Sequence, residues 1–164
     1  MKPFKPNPQQ LGAIANGCTK LWIPLKSSYQ DGKLLTYYGD CKDEYDNDEF
    51  VYKHSDIQPN GEYFVQEEFG DLFGDVVYKA NISKPIQGLF NPANQMTEQQ
   101  SRFKFKVTGV EVKQVQNVNL GEWQEVKKGL TISESLSLWH DSQYPQQLYN
   151  SNPWGFLIDI EVET

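Results

Sequence analysis

Cations recur at every second position in Arg102-Phe103-Lys104-Phe105-Lys106, interleaved with aromatic residues. In an extended chain, residues two apart share a face and stand about 7 Å apart. Arg102, Lys104 and Lys106 therefore form a basic stripe at a spacing that suits backbone phosphates. The plainer reading is the solvated outer face of a half-buried strand. Opposite charge gathers at 40–49, DCKDEYDNDE. That run lacks the glycine and the spaced terminal glutamate of a calcium loop. It reads as a solvated acidic loop, or as a surface that mimics a phosphate backbone and engages a basic protein. His54 and His140 are too isolated for a metal site or a triad, and the serines have no nucleophile elbow. No Gly-rich phosphate loop is present, and neither a metal nor a cofactor is expected.

The whole chain sets the bounds for these groups. Its 164 residues suit a single domain, 1–164, able to bury roughly two-thirds of its unfolded surface. With 22 acids against 15 bases the net charge is −7, so general polyanion binding is disfavoured. A nucleic-acid role must rest on a local patch or on a pocket for one base. Cys18 and Cys41 make no metal spacing and read as reduced thiols. No membrane span and no secretory leader is legible, so a cytoplasmic monomer is the default expectation.

The elements that must position these groups follow from local pattern. Asn7 and Pro8 suit the start of a helix and Gly17 the left-handed position after its end. Leu21 to Leu25 looks extended, with Pro24 confining it to an edge or strand end. Residues 27–60 form an irregular acidic insertion, with a hairpin expected around Asp31-Gly32. Strands are expected at 62–67, 76–82 and 102–118, the last bulged at Thr108-Gly109. Helices are expected at 120–128, stopped by Gly129, and at 133–141, capped by Thr131 or Ser133. After Asn152-Pro153-Trp154, the alternation of Phe156, Ile158, Ile160 and Val162 with Leu157, Asp159, Glu161 and Glu163 predicts a closing strand with one wet face. The sum is an α+β fold: a mixed β-barrel of five or six strands with three or four short flanking helices.

The order of these blocks resembles the ASCH domains of the PUA-like superfamily, nearest to the phage and prophage proteins of morphogenetic type. The resemblance is carried by a helix ending Asn-Gly, then Gly-Glu-Tyr-Phe-Val, then Ser-Arg-Phe-Lys-Phe-Lys-Val-Thr-Gly-Val. Leu-Trp-His-Asp-Ser and the terminal Asn-Pro-Trp-Gly-Phe-Leu-Ile-Asp-Ile-Glu complete it. It spans nearly the whole chain except 27–60. It implies a PUA-like barrel in a host cell cytoplasm and a cleft beside the first helix that takes RNA or a modified nucleobase.

Some members of that family deacylate modified cytidine with a Gly-x-Lys-x-x-Thr-x-Arg segment and a glutamate. Here the segment is Gly17 to Pro24, with Thr19 at the lysine position, Trp22 at the threonine position and Pro24 at the arginine position. These departures point away from hydrolysis.

By the same resemblance Thr19, Lys20 and Trp22 stand at the cleft mouth, and Glu67 and Glu68 supply an acid beside it. Lys20 would hold a phosphate or carbonyl, Trp22 would stack on a base, and Glu67 would accept from an exocyclic amine. The plainer alternatives are a solvated Lys20, a core Trp22 and exposed acids at a strand end. Asn152 and Trp154, with Trp139 near them, would form a pocket rim; alternatively the proline fixes the turn and the rings fill the barrel end. The first expectation is a binding module for RNA or a nucleobase. The rivals are an accessory factor that binds a basic host protein through its acidic surface and, behind it, a nucleoside amide hydrolase.

Overall fold

A computed structural model describes residues 1–25, 28–30, 33–35, 55–82, 88–130, 135–145 and 148–163. The acidic run 40–49, Cys41, His54, Thr131 and Ser133 lie outside the described residues.

The chain opens with β1 (Lys2–Phe4) and α1 (Pro8–Ala15). Asn7 caps α1 in a full capping box: its side chain accepts from the Gln10 amide, and the Gln10 side chain accepts from the Asn7 amide. Gly17, at φ 73°, takes the left-handed turn after the helix. β2 (Lys20–Pro24) follows, then the antiparallel pair β3 (Ser28–Gln30) and β4 (Lys33–Leu35); Asp31 and Gly32, where a hairpin turn is expected, lie outside the described residues. β5 (Glu62–Val65), β6 (Phe69–Leu72) and β7 (Asp75–Tyr78) come next. The long β8 (Lys104–Gln114) leads through α2 (Leu120–Val126) and α3 (Leu136–Gln143) to β9 (Trp154–Glu163). The cap of α3 is Ser135, whose hydroxyl accepts from the Leu138 amide.

The result is an α+β fold with a mixed five-stranded sheet in the order β1-β5-β8-β9-β2 and three α-helices among the described residues. β1 runs parallel to β5 and the other ladders are antiparallel. Among the described residues no ladder joins β1 to β2, and no sheet closes into a barrel. β9, the strand expected to close a barrel, lies inside the sheet between β8 and β2, while Pro24 ends the β2 edge. The bulge is where the sequence predicts it, between Val107 and Gly109, and lets eleven residues of β8 follow ten of β9. The strand expected at 76–82 is instead the second arm of the β6–β7 hairpin.

Two apolar clusters cover the two faces of the sheet. On one, α1 lays Ala13 and Ile14 against Leu21, Val65, Phe105, Val107, Phe156, Ile158 and Ile160. On the other, α2 and α3 bring Trp123, Val126 and Trp139 against Trp22 and Leu157. Strand alternation explains the split, since Leu21 and Trp22 must point to opposite faces. It also corrects the wet face expected of β9: Leu157 is buried because helices cover that face at its start. Among the described residues no helix is long and apolar enough to cross a membrane.

Candidate functional site

The short connection Gln66-Glu67-Glu68 is held at both ends by backbone bonds. The Gln66 amide donates to the Phe4 carbonyl, 2.8 Å, and the Lys79 amide donates to the Glu68 carbonyl, 3.0 Å. Between these ties Glu67 is turned inward and only 4% exposed. A carboxylate at that depth requires a partner, and Arg102 supplies it. Nε donates to Oε2 at 2.8 Å and Nη2 to Oε1 at 2.9 Å, a bidentate pair. The third arm, Nη1, donates to the Asn81 side-chain oxygen at 3.1 Å. The guanidinium also lies 4.7 Å from the ring centres of Tyr78 and Phe103. Desolvation raises the Tyr78 phenol above its ordinary value, the Glu67 charge adds to this, and Arg102 opposes it.

Glu67 lines a cleft of about 470 Å³ beside α1. Pro6, Pro8 and Leu11 line it from the helix side together with Pro92 and Ala93, and of its two lysines, Lys5 and Lys79, Lys79 is ion-paired with Glu68 of the same lining at 2.9 Å. Gln66 fixes the far wall by donating to the Met96 carbonyl at 3.1 Å. The described lining carries no serine, cysteine or histidine. Such a cleft can hold a flat, partly apolar ligand against a fixed acceptor, and its volume falls within the roughly 300–1,000 Å³ of small-ligand sites. A second cleft, about 520 Å³, flanks the other end of α1 and is lined by Gly17, Cys18, Thr19, Arg102, Phe103 and the end of β9. Burial pushes the Cys18 thiol up to about 11. Among the described residues no cluster of three or more His, Cys, Asp or Glu could hold a metal.

The residues singled out in the sequence do not gather in one place. Glu67 reaches the first cleft, buried and paired rather than at an exposed strand end. Thr19 and Arg102 reach the second. Thr19 is tied by its backbone: its amide donates to Glu125 at 3.2 Å and its carbonyl accepts from Ile160 at 2.9 Å. Lys20 is ion-paired with Asp159, its cross-strand neighbour. Two strands, β8 and β9, separate its strand from that leading to Glu67, roughly 14 Å of sheet.

Trp22 is 1% exposed, with its ring centre 5.8 Å from that of Trp123, so no face is open to a base. The stacking role expected for it is corrected to a core role. The basic stripe is broken up by acids. Arg102 is turned to Glu67, Lys104 pairs with Glu98 at 3.6 Å, and Lys106 stands opposite Glu62 and Glu161.

Asn152 and Trp154 line neither cleft. Asn152 adopts a left-handed conformation, φ 50°, and its side-chain oxygen accepts from the Gln116 amide at 3.0 Å. The Trp154 carbonyl accepts from the Leu25 amide at 3.0 Å, which joins the start of β9 to the residue that follows β2. These residues fix a corner of the fold.

Comparison of the chain with protein-family models, with curated proteins and with solved structures gives no match. The site must be read from its own geometry.

Sequence reasoning missed Lys5, Lys79, Pro92 and Ala93 as cleft residues. They belong to three separate segments, none with a local signal. The one available signal was Arg102 entering a strand after Ser101 while an acid pair follows another strand.

Proposed function

We propose that this chain is an ASCH-like, PUA-type binding module that takes a nucleobase, or a short RNA presenting one, in the cleft beside α1. The observation that carries the reading is Glu67: a buried carboxylate, oriented by a bidentate arginine, on the wall of a largely apolar cleft. An acceptor fixed in this way suits the exocyclic amine of a base, and proline and leucine surfaces suit its faces. Lys5 suits a phosphate attached to it. The position of the cleft beside the first helix is what the ASCH resemblance implies, and the mixed sheet with a bulged β8 beside β9 is compatible with it. The amide-hydrolase alternative is weakened, because Trp22 stands where that family has its threonine and its ring is in the core.

Calorimetric titration with the four ribonucleosides, N4-acetylcytidine and their 5′-monophosphates tests this at low salt. The expected result is saturable binding of one base type, weakened at least about tenfold in Glu67→Gln and abolished when Leu11→Trp fills the cleft. Binding by neither nucleosides nor nucleotides at millimolar concentration, or undiminished binding by Leu11→Trp, refutes the reading.

A further inference from the structure

The β6–β7 hairpin carries a feature that folding alone does not require. Leu72 pairs with Asp75, so the loop is the two residues Phe73-Gly74, both left-handed at φ 54° and 88°. Such turns favour Asn-Gly, because a bulky side chain is strained there and asparagine is not. Phe73 has no packing to offset that strain: it is 98% exposed. Leu72 and Val76 beside it are 41% and 37% exposed, giving the hairpin an apolar tip. A strained residue that the rest of the structure does not reward is a sign of function.

Charge narrows the kind of partner. Asp71, which accepts from the Gly74 amide at 2.9 Å, and exposed Asp75 bracket the ring. Two carboxylates at the tip oppose an anionic membrane surface and a phosphate backbone, and favour an apolar surface edged by cations. The same molecule offers one at the other end of the same hairpin, where Ala80 and Lys79, the latter 41% exposed and shared with Glu68 at 2.9 Å, form the edge of the first cleft. The hairpin also has an open side, since β7 pairs only with β6 among the described residues. With Leu72 and Asp75 closing the turn, alternation turns the backbone groups of Val76 and Tyr78 toward that open side.

We propose that the chain self-associates through this hairpin, β7 pairing antiparallel with β7 of a second copy about Val76. That register sets Val76 against Val76 on the two-fold axis and Phe73 of each copy opposite Lys79 of the other, beside Ala80. Asp75 then lies diagonal to Lys79 across the pair, within reach of its charge. The contact is isologous, so it closes at a dimer and pairs the open edge of β7. It also covers the cleft mouth with the second copy's phenylalanine. A contact of two short hairpins is small, in the class of transient interfaces, and holds only at high concentration.

Sedimentation velocity on the full chain, from about 10 µM to about 500 µM, tests the proposal. Wild type is expected to shift from monomer toward dimer across that range. Phe73→Asn, which gives the turn its favoured residue and so preserves the hairpin, is expected to stay monomeric. Val76→Lys, which sets like charges directly opposite, is expected to do the same. A wild type that stays monomeric throughout overturns the proposal, as does association in Phe73→Asn or Val76→Lys equal to that of wild type.

Discussion

Separating the Glu67–Arg102 pair gives the most direct reading of whether the cleft wall is built as described. Glu67 is 4% exposed, and the Arg102 side chain is 21% exposed. Removing one member of a buried pair costs about 3–5 kcal/mol, because the other is left charged without a partner. The partial exposure of Arg102 lets water reach that end, so the lower figure applies. Arg102→Met also forfeits the contacts with Tyr78 and Phe103, about 0.5–1 kcal/mol each. Arg102→Met is therefore expected to cost about 4 kcal/mol. Glu67→Gln keeps one acceptor for the guanidinium and should cost about 2 kcal/mol. The double variant leaves no buried charge, and its loss should fall short of the sum by about 2 kcal/mol. Urea unfolding followed by tryptophan fluorescence measures all three, with coincident circular dichroism as the test of two-state behaviour. Single losses below about 1 kcal/mol with no coupling would show a water-screened pair, and the argument that Glu67 is a fixed acceptor would fail.

Three further outcomes follow from the packing. In Gly155→Ala the new Cβ would stand 2.5 Å from Trp22 Cζ2 and 2.9 Å from the Ile23 carbonyl oxygen. A loss of about 3 kcal/mol in urea unfolding is expected, and a neutral substitution contradicts the Trp22 position. His140 is fully buried against Trp123, Tyr144 and Tyr149, and desolvation lowers its pKa while the neighbouring Asp141 pulls it back. The unfolded state takes up a proton first, so the contribution of the neutral imidazole is intact above about pH 6.5 and fades as pH falls below it. Stability should drop by up to about 1.4 kcal/mol per pH unit as pH falls below about 6.5, and His140→Phe should flatten that slope; equal slopes in the two proteins refute the assignment. Cys18, its thiol pushed up to about 11, should resist iodoacetamide at pH 8 until urea is added, as followed by peptide mapping. Rapid labelling in the native state would show that the second cleft admits water to the sulfur.

Local rules carried a good part of the fold. The Asn7 cap, the Gly17 stop, the bulge before Gly109 and the alternation of β9 are each written in a few neighbouring residues. The β6–β7 hairpin has little signal in the sequence because Phe73-Gly74 is a poor match to the turn it forms. β1 is not legible in the sequence because three residues, Lys2 to Phe4, carry no period. The site was harder still. Lys20 and Trp22 looked like binding residues from their types, yet one meets Asp159 and the other fills the core, because cross-strand register and helix cover fix what each side chain touches.

By itself the sequence determined an acidic α+β chain, the position of most of its elements, and the residues that start and stop them. Those depend on backbone preferences and periodicity, which act over a few residues. Only the tertiary structure decided the strand order β1-β5-β8-β9-β2, that two aromatic-rich clusters cover the two faces of the sheet, and that Glu67 and Arg102 meet across thirty-five positions of sequence. Burial and charge pairing depend on which surfaces the folded chain brings together, and no local pattern encodes that.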